Sequence, residues 1–97
     1  MAHYALVTLH VTDAEGLDVY KSKAGPAVAK HGGRPLAGGP GSKVLQSSVS
    51  PMQGVVLEFP TAEAVTAWLE DDEFAEVHAQ REASADVTIL SLPPFPA

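Results

Sequence analysis

Twice within 97 residues the hydrophobic spacing switches from period two to the period of a helix, each time across one side chain suited to cap a helix N-terminus. Residues 4–11 alternate, with Ala5, Val7, Leu9 and Val11 on one face and Tyr4, Leu6, Thr8 and His10 on the other. Asp13 then offers a capping carboxylate, and Leu17, Tyr20, Ala24, Ala27 and Val28 recur at helical spacing until Gly32 and Gly33 stop the run. Residues 54–59 alternate again, Val55, Leu57 and Phe59 against Val56 and Glu58. Pro60 ends that strand and Thr61 caps a second helix, whose apolar stripe is Val65, Trp68 and Leu69 and whose positive first turn holds Glu63.

The remaining segments fit around these two units. Residues 34–37 predict a strand, 38–41 a flexible glycine-rich turn, and 43–46 a short returning strand. Pro26 is expected to kink the first helix or divide it, because it lacks a donor and clashes with the preceding turn. The acidic run 70–73 interrupts the second helix before a short piece carrying Phe74, Val77 and Arg81, and a strand over 86–92 closes the chain. The order implies an α+β, ferredoxin-like β-α-β-β-α-β domain over residues 1–92, with two right-handed crossovers placing both helices on one face of a four-stranded antiparallel sheet. Residues 93–97 form a Pro-rich tail that cannot continue a helix or a ladder, an extended end available to a partner.

The other sheet face should carry Tyr4, Leu6, Val56 and Leu36, an apolar patch seldom left in water. A chain this short buries only roughly 60–65% of its unfolded surface. Both arguments predict a homodimer packed sheet against sheet. The absence of cysteine excludes disulfides, thiol catalysis and thiolate metal sites. A net charge of −6, with no cluster of Lys and Arg, argues against nucleic acid as a partner. The apolar run 5–9 is too short and too interrupted for a signal peptide or a membrane span, so no membrane is expected and a cytoplasmic location is the default.

The segments Val11-Thr12-Asp13, Tyr20, His31-Gly32-Gly33-Arg34, Leu57-Glu58-Phe59-Pro60, Ala67-Trp68 and Arg81 resemble the pattern of the domain-of-unknown-function 1330 family, over about residues 4–92. The resemblance implies membership of the dimeric α+β barrel superfamily, dimerisation through the sheet, and a cavity between sheet and helices. It implies no single activity, since related families are similar to cofactor-independent monooxygenases, lactone isomerases, polyketide cyclases and haem enzymes. The chain departs from the commoner pattern in carrying Thr8 and His10 where relatives often carry charge.

Several residues are candidates for chemistry. Glu58 shares a face with Tyr4, Thr8 and His10, and a Glu58–His10 pair on neighbouring strands would make a general base; the alternative is a structural carboxylate paired with Arg34 or the partner subunit. Arg34 and Arg81 are expected to reach into the cavity and clamp a carboxylate or enolate oxygen, or else to form ion pairs. Tyr20 and Trp68 fall on buried helix faces and line either core or cavity; with Tyr4 and Thr8 they are the candidate ligand-binding residues. His31 and His78 read as helix-end residues, and His3 as frayed. No histidine spacing suits a metal and none supports haem, so no cofactor is expected. Two functional readings follow: a homodimer binding a small organic metabolite and catalysing cofactor-free isomerisation, cyclisation or lyase chemistry by proton transfer, or a non-catalytic dimer that binds a ligand or partner.

Overall fold

The computed structural model describes residues 2–48 and 53–96. The capping side chains become helix starts. Asp13, in extended conformation, accepts the Gly16 N–H at 3.1 Å and opens α1 (Ala14–Lys30). Thr61 accepts the Ala64 N–H at 3.1 Å and opens α2 (Ala62–Glu70). At the far end of α1, Gly32 takes φ 74°, and the Gly32 and Gly33 N–H groups close back on the carbonyls of Ala29 and Val28 at 3.0 and 2.9 Å. Only a residue tolerant of positive φ completes that stop without strain. A 3₁₀ turn, Asp72–Phe74, leads from α2 into α3 (Ala75–Ser84).

Four strands, β1 (His3–Val11), β2 (Arg34–Gly39), β3 (Gln53–Phe59) and β4 (Ala85–Leu92), pair antiparallel in the order β2-β3-β1-β4. This is the expected ferredoxin-like α+β arrangement. Ala5, Val7, Leu9, Leu57 and Phe59 turn inward and bury against Leu17, Val28, Val65 and Trp68 from the helices. Phe59 and Trp68 meet with ring centroids 5.4 Å apart. The outer face is built in rows, because directly paired residues point to the same side. Glu58, Tyr4 and Leu92 form one row; Val56, Leu6 and Leu90 the next; Gly54, Thr8 and Thr88 the third. Among the described residues no helix packs on this face.

The structure departs from the sequence reading at four places. Pro26 does not divide α1, which runs through it as one element, with Ala27 and Val28 beyond the proline buried and anchoring the final turn against the core. Strand β2 includes Gly38 and Gly39, which the glycine-rich composition assigns to a turn. Gly38 has φ 125°, and a Cβ there would collide with the Gly54 carbonyl oxygen, so glycine is what lets β2 approach β3. Residues 43–46 form no strand; the Ser42 hydroxyl accepts the Gly54 N–H at 3.0 Å, taking the place of a further ladder bond at that edge. His3 is not frayed but begins β1, with its Nε2 2.7 Å from Ser91 Oγ across the sheet.

Candidate functional site

Helix α1 does not close fully onto the sheet near the β2 edge. A cavity of about 430 Å³ remains, floored by Val7, Leu9, Val55 and Leu57 of the strands and flanked by Tyr20 and Ala24 of α1. Gly25, beside Pro26, also borders it, and open space lies where a Cβ would stand. Trp68 of α2 and Arg81 of α3 form the back wall. Tyr20, Trp68 and Arg81, three of the candidate residues read from sequence, therefore come together at one site.

Arg81 is 4% exposed, the only charged residue classed as buried among those described. Burying a guanidinium requires partners for its charge and its donors. Its Cζ lies 5.8 Å from the Tyr20 ring centroid and 5.7 Å from that of Trp68, within cation–π range of both. Nε donates to Glu82 at 2.9 Å, but that carboxylate is 57% exposed and so is largely screened by water. Nη1 points to His78 Nδ1 at 3.1 Å.

His78 sits between Arg81 and the end of α2. Its Nε2 is 2.8 Å from the Trp68 carbonyl, one of the last carbonyls of α2, and its ring meets the indole edge-on at 5.7 Å. A carbonyl accepts and a guanidinium donates, so the two contacts together assign the neutral imidazole with its proton on Nε2. Burial holds the His78 pKa below the ordinary imidazole value and the Arg81 charge adds to this, against the opposing effects of the Trp68 carbonyl, Asp71 and Glu82. The sequence reading of His78 as a helix-end cap or surface residue is corrected: it is the half-buried fourth residue of α3, and the terminal carbonyl it contacts belongs to α2. Its contact with Arg81 was missed, although the i, i+3 spacing on one helix is the signal that places such side chains together.

The other candidates lie elsewhere. Glu58 pairs across the ladder with Tyr4, whereas His10 stands opposite Asp86 at the far end of β1, so the two do not meet within one subunit. The expected Glu58–His10 base is therefore not formed there. Arg34 does not reach the cavity. It is registered with Glu58 on the outer face and contacts its Oε1 through Nε and Nη2, each at 3.0 Å. Tyr4 and Thr8 also face outward, and Thr8 borders a separate, more open hollow beneath residues 42–47. One residue of offset separates the two sets, and in a strand that offset selects the opposite face.

A third cluster fastens α1 to the end of α2. Asp71 receives Lys30 Nζ at 2.7 Å and lies 2.7 Å from His31 Nε2, and these contacts, Lys30 first, hold its carboxyl down to about 2. His31 is thus a helix-end residue tied to a carboxylate. Among the described residues no group of three His, Asp or Glu side chains is placed to hold a metal, and no helix is long and apolar enough to cross a membrane.

The pattern described as Domain of unknown function (DUF1330) matches residues 2–93. The chain belongs to the DUF1330 family. Its fold is similar to that of the RPA0582 protein of unknown function from Rhodopseudomonas palustris, at 18% identity and a TM-score of 0.81 over 99% of this chain and 84% of that one. It is also similar to a dimeric ferredoxin-like protein of unknown function from Jannaschia sp. CCS1, at 16% identity and 0.73 over 97% and 100%. A more distant likeness is to SnoaB, a cofactor-independent oxygenase from Streptomyces nogalater, at 10% identity and 0.60 over 99% and 93%. At these identities the likeness of this DUF1330 chain to the solved structures is one of fold. No curated protein matches it.

Proposed function

We propose that this DUF1330 protein is a homodimer, joined through its outer sheet face, that binds one small organic anion per subunit in the cavity between sheet and helices. The observation that carries the ligand class is Arg81, a buried cation held over two aromatic rings at the wall of a mostly apolar cavity whose one other charged lining residue, Lys21, is also a cation. The one carboxylate partner of Arg81 is mostly in water, so a ligand carboxylate or enolate meets a buried charge that the Glu82 pair balances only in part. The apolar floor and the volume suit a ring or short hydrocarbon body attached to that group. The dimer is supported by the Val56–Leu6–Leu90 row and by the dimeric Jannaschia protein of the same fold.

Binding is favoured over proton transfer. Among the described residues the cavity wall carries no Asp, Glu or His, and the carboxylate and imidazole expected as bases, Glu58 and His10, lie on the other face of the sheet. Trp68 is the only tryptophan, so its emission reports on the cavity directly. Benzoate and phenylacetate should shift that emission saturably, with benzamide binding at least about tenfold more weakly for want of the charge. Arg81→Gln should lose the same factor or more, and Arg34→Gln should leave binding unchanged. Equal affinity for benzoate and benzamide, or no saturable response to either acid, would refute the reading.

A further inference from the structure

The contacts around His78 form a relay that starts outside the cavity and ends in it. The Trp68 carbonyl at the end of α2 fixes one ring nitrogen, and the fixed ring turns its other nitrogen toward the guanidinium. His78 itself is not among the residues bordering the cavity. We infer that His78 is a positioning residue for the proposed anion site: as a neutral imidazole braced on α2 it holds Arg81 in the cavity wall, and a proton on Nδ1 removes that hold. The inference rests on the ligand reading above only for its effect on affinity.

The physical argument is one of donors. At 3.1 Å, Nη1 of Arg81 needs an acceptor, and neutral His78 supplies a lone pair. Protonated His78 presents an N–H to an N–H and a positive charge to a positive charge. The Trp68 carbonyl still accepts from Nε2 in that state, so the ring stays on α2 and Arg81 is the group displaced. The charged groups that bear on the ring are Asp71 from the end of α2 and Arg81 and Glu82 from α3. From α1, Tyr20 faces the guanidinium and not the imidazole. The two carboxylates favour the imidazolium, while burial and Arg81 oppose it more strongly, so the relay is intact near neutral pH and opens on acidification below the ordinary imidazole range.

Glutamine can reproduce both contacts without titrating, donating its amide to the Trp68 carbonyl and accepting from Arg81, whereas leucine can make neither. Naphthalene-2-sulfonate serves as probe because its charge does not change over the range tested. Its affinity for the wild type should fall about tenfold between about pH 7.5 and an acidic pH at which the His78 ring signals show it protonated, the size of one lost charge-assisted hydrogen bond. For His78→Gln it should stay high at both pH values, and for His78→Leu low at both. Independently of any ligand, the Nη protons of Arg81 should give resolved NMR signals at the higher pH in the wild type and in His78→Gln. They should collapse in His78→Leu, and in the wild type as His78 protonates. Resolved Arg81 signals in His78→Leu, or ones that persist through the His78 titration, would overturn the positioning role. If those signals follow His78 but the sulfonate binds at neither pH, the relay stands and the anion site falls.

Discussion

Arg34 and Arg81 lie on opposite sides of one sheet and illustrate two ways of placing a guanidinium. Arg34 is 69% exposed and makes a two-pronged contact with a Glu58 side chain that is itself 25% exposed. Arg81 is 5% exposed by side chain, and its acidic partner is 57% exposed. The outer arginine therefore has its counter-charge where water already screens both. The inner one is desolvated, while the charge meant to balance it is not. By that contrast the inner arginine has capacity left for an external anion, and the outer one spends its geometry on a neighbour within the chain.

The largest effect should come from removing the back wall of the inner site. Trp68 is 1% exposed, contacts Phe59 and His78, and presents its ring to Arg81. Trp68→Ala should cost about 3–5 kcal/mol, because the neighbouring β-strands cannot collapse into the space left. Urea unfolding followed by circular dichroism measures this without the lost fluorophore. A cost under about 1 kcal/mol would mean that the inner side is plastic, and that the contrast between the two arginines does not rest on a rigid wall.

Next in size is the effect of charging the outer face. Leu6 sits at the centre of its apolar row, between Val56 and Leu90. Leu6→Asp should convert a species of about twice the 10.1 kDa chain mass to one of single mass by sedimentation equilibrium, with the circular dichroism spectrum retained. Two copies packed there would have to bury an unpaired carboxylate in each subunit. Identical masses for wild type and variant would remove the second copy from this face.

How much of this was legible in the sequence follows from which interactions are local. Alternation in residues 4–11 and 54–59 and the caps Asp13 and Thr61 depend only on near neighbours, and the strands, helices and buried faces follow from them. Register does not. Whether Glu58 faces His10 or Tyr4 across β1 depends on how far β3 slides along it, and nothing in either strand alone encodes the offset. The same lack separated Arg34 from the cavity, since its face is set by pairing with Glu58. Gly38 failed for a related reason: glycine in a strand means close approach, glycine in a turn means positive φ, and composition cannot distinguish the two. His78 was legible in principle, three residues before Arg81, but its role needed the Trp68 carbonyl, ten residues away on another helix.

The effect that starts smallest, in the isolated subunit, discriminates most finely between a free and a covered outer face. In an isolated subunit the Arg34–Glu58 pair is a surface ion pair, and Arg34→Ala should cost no more than about 1 kcal/mol. Should a second copy cover the sheet, both charges lose water, and truncating one leaves Glu58 desolvated without its partner, at about 3–5 kcal/mol. The two cases share one molecule and differ only in association. Unfolding midpoints of wild type and Arg34→Ala should therefore lie close together at protein concentrations where the dimer has dissociated and separate as the concentration rises. A gap that is small and constant across the whole concentration range would place the pair at the solvated rim of the interface, leaving the Val56–Leu6–Leu90 row to hold the two sheets together.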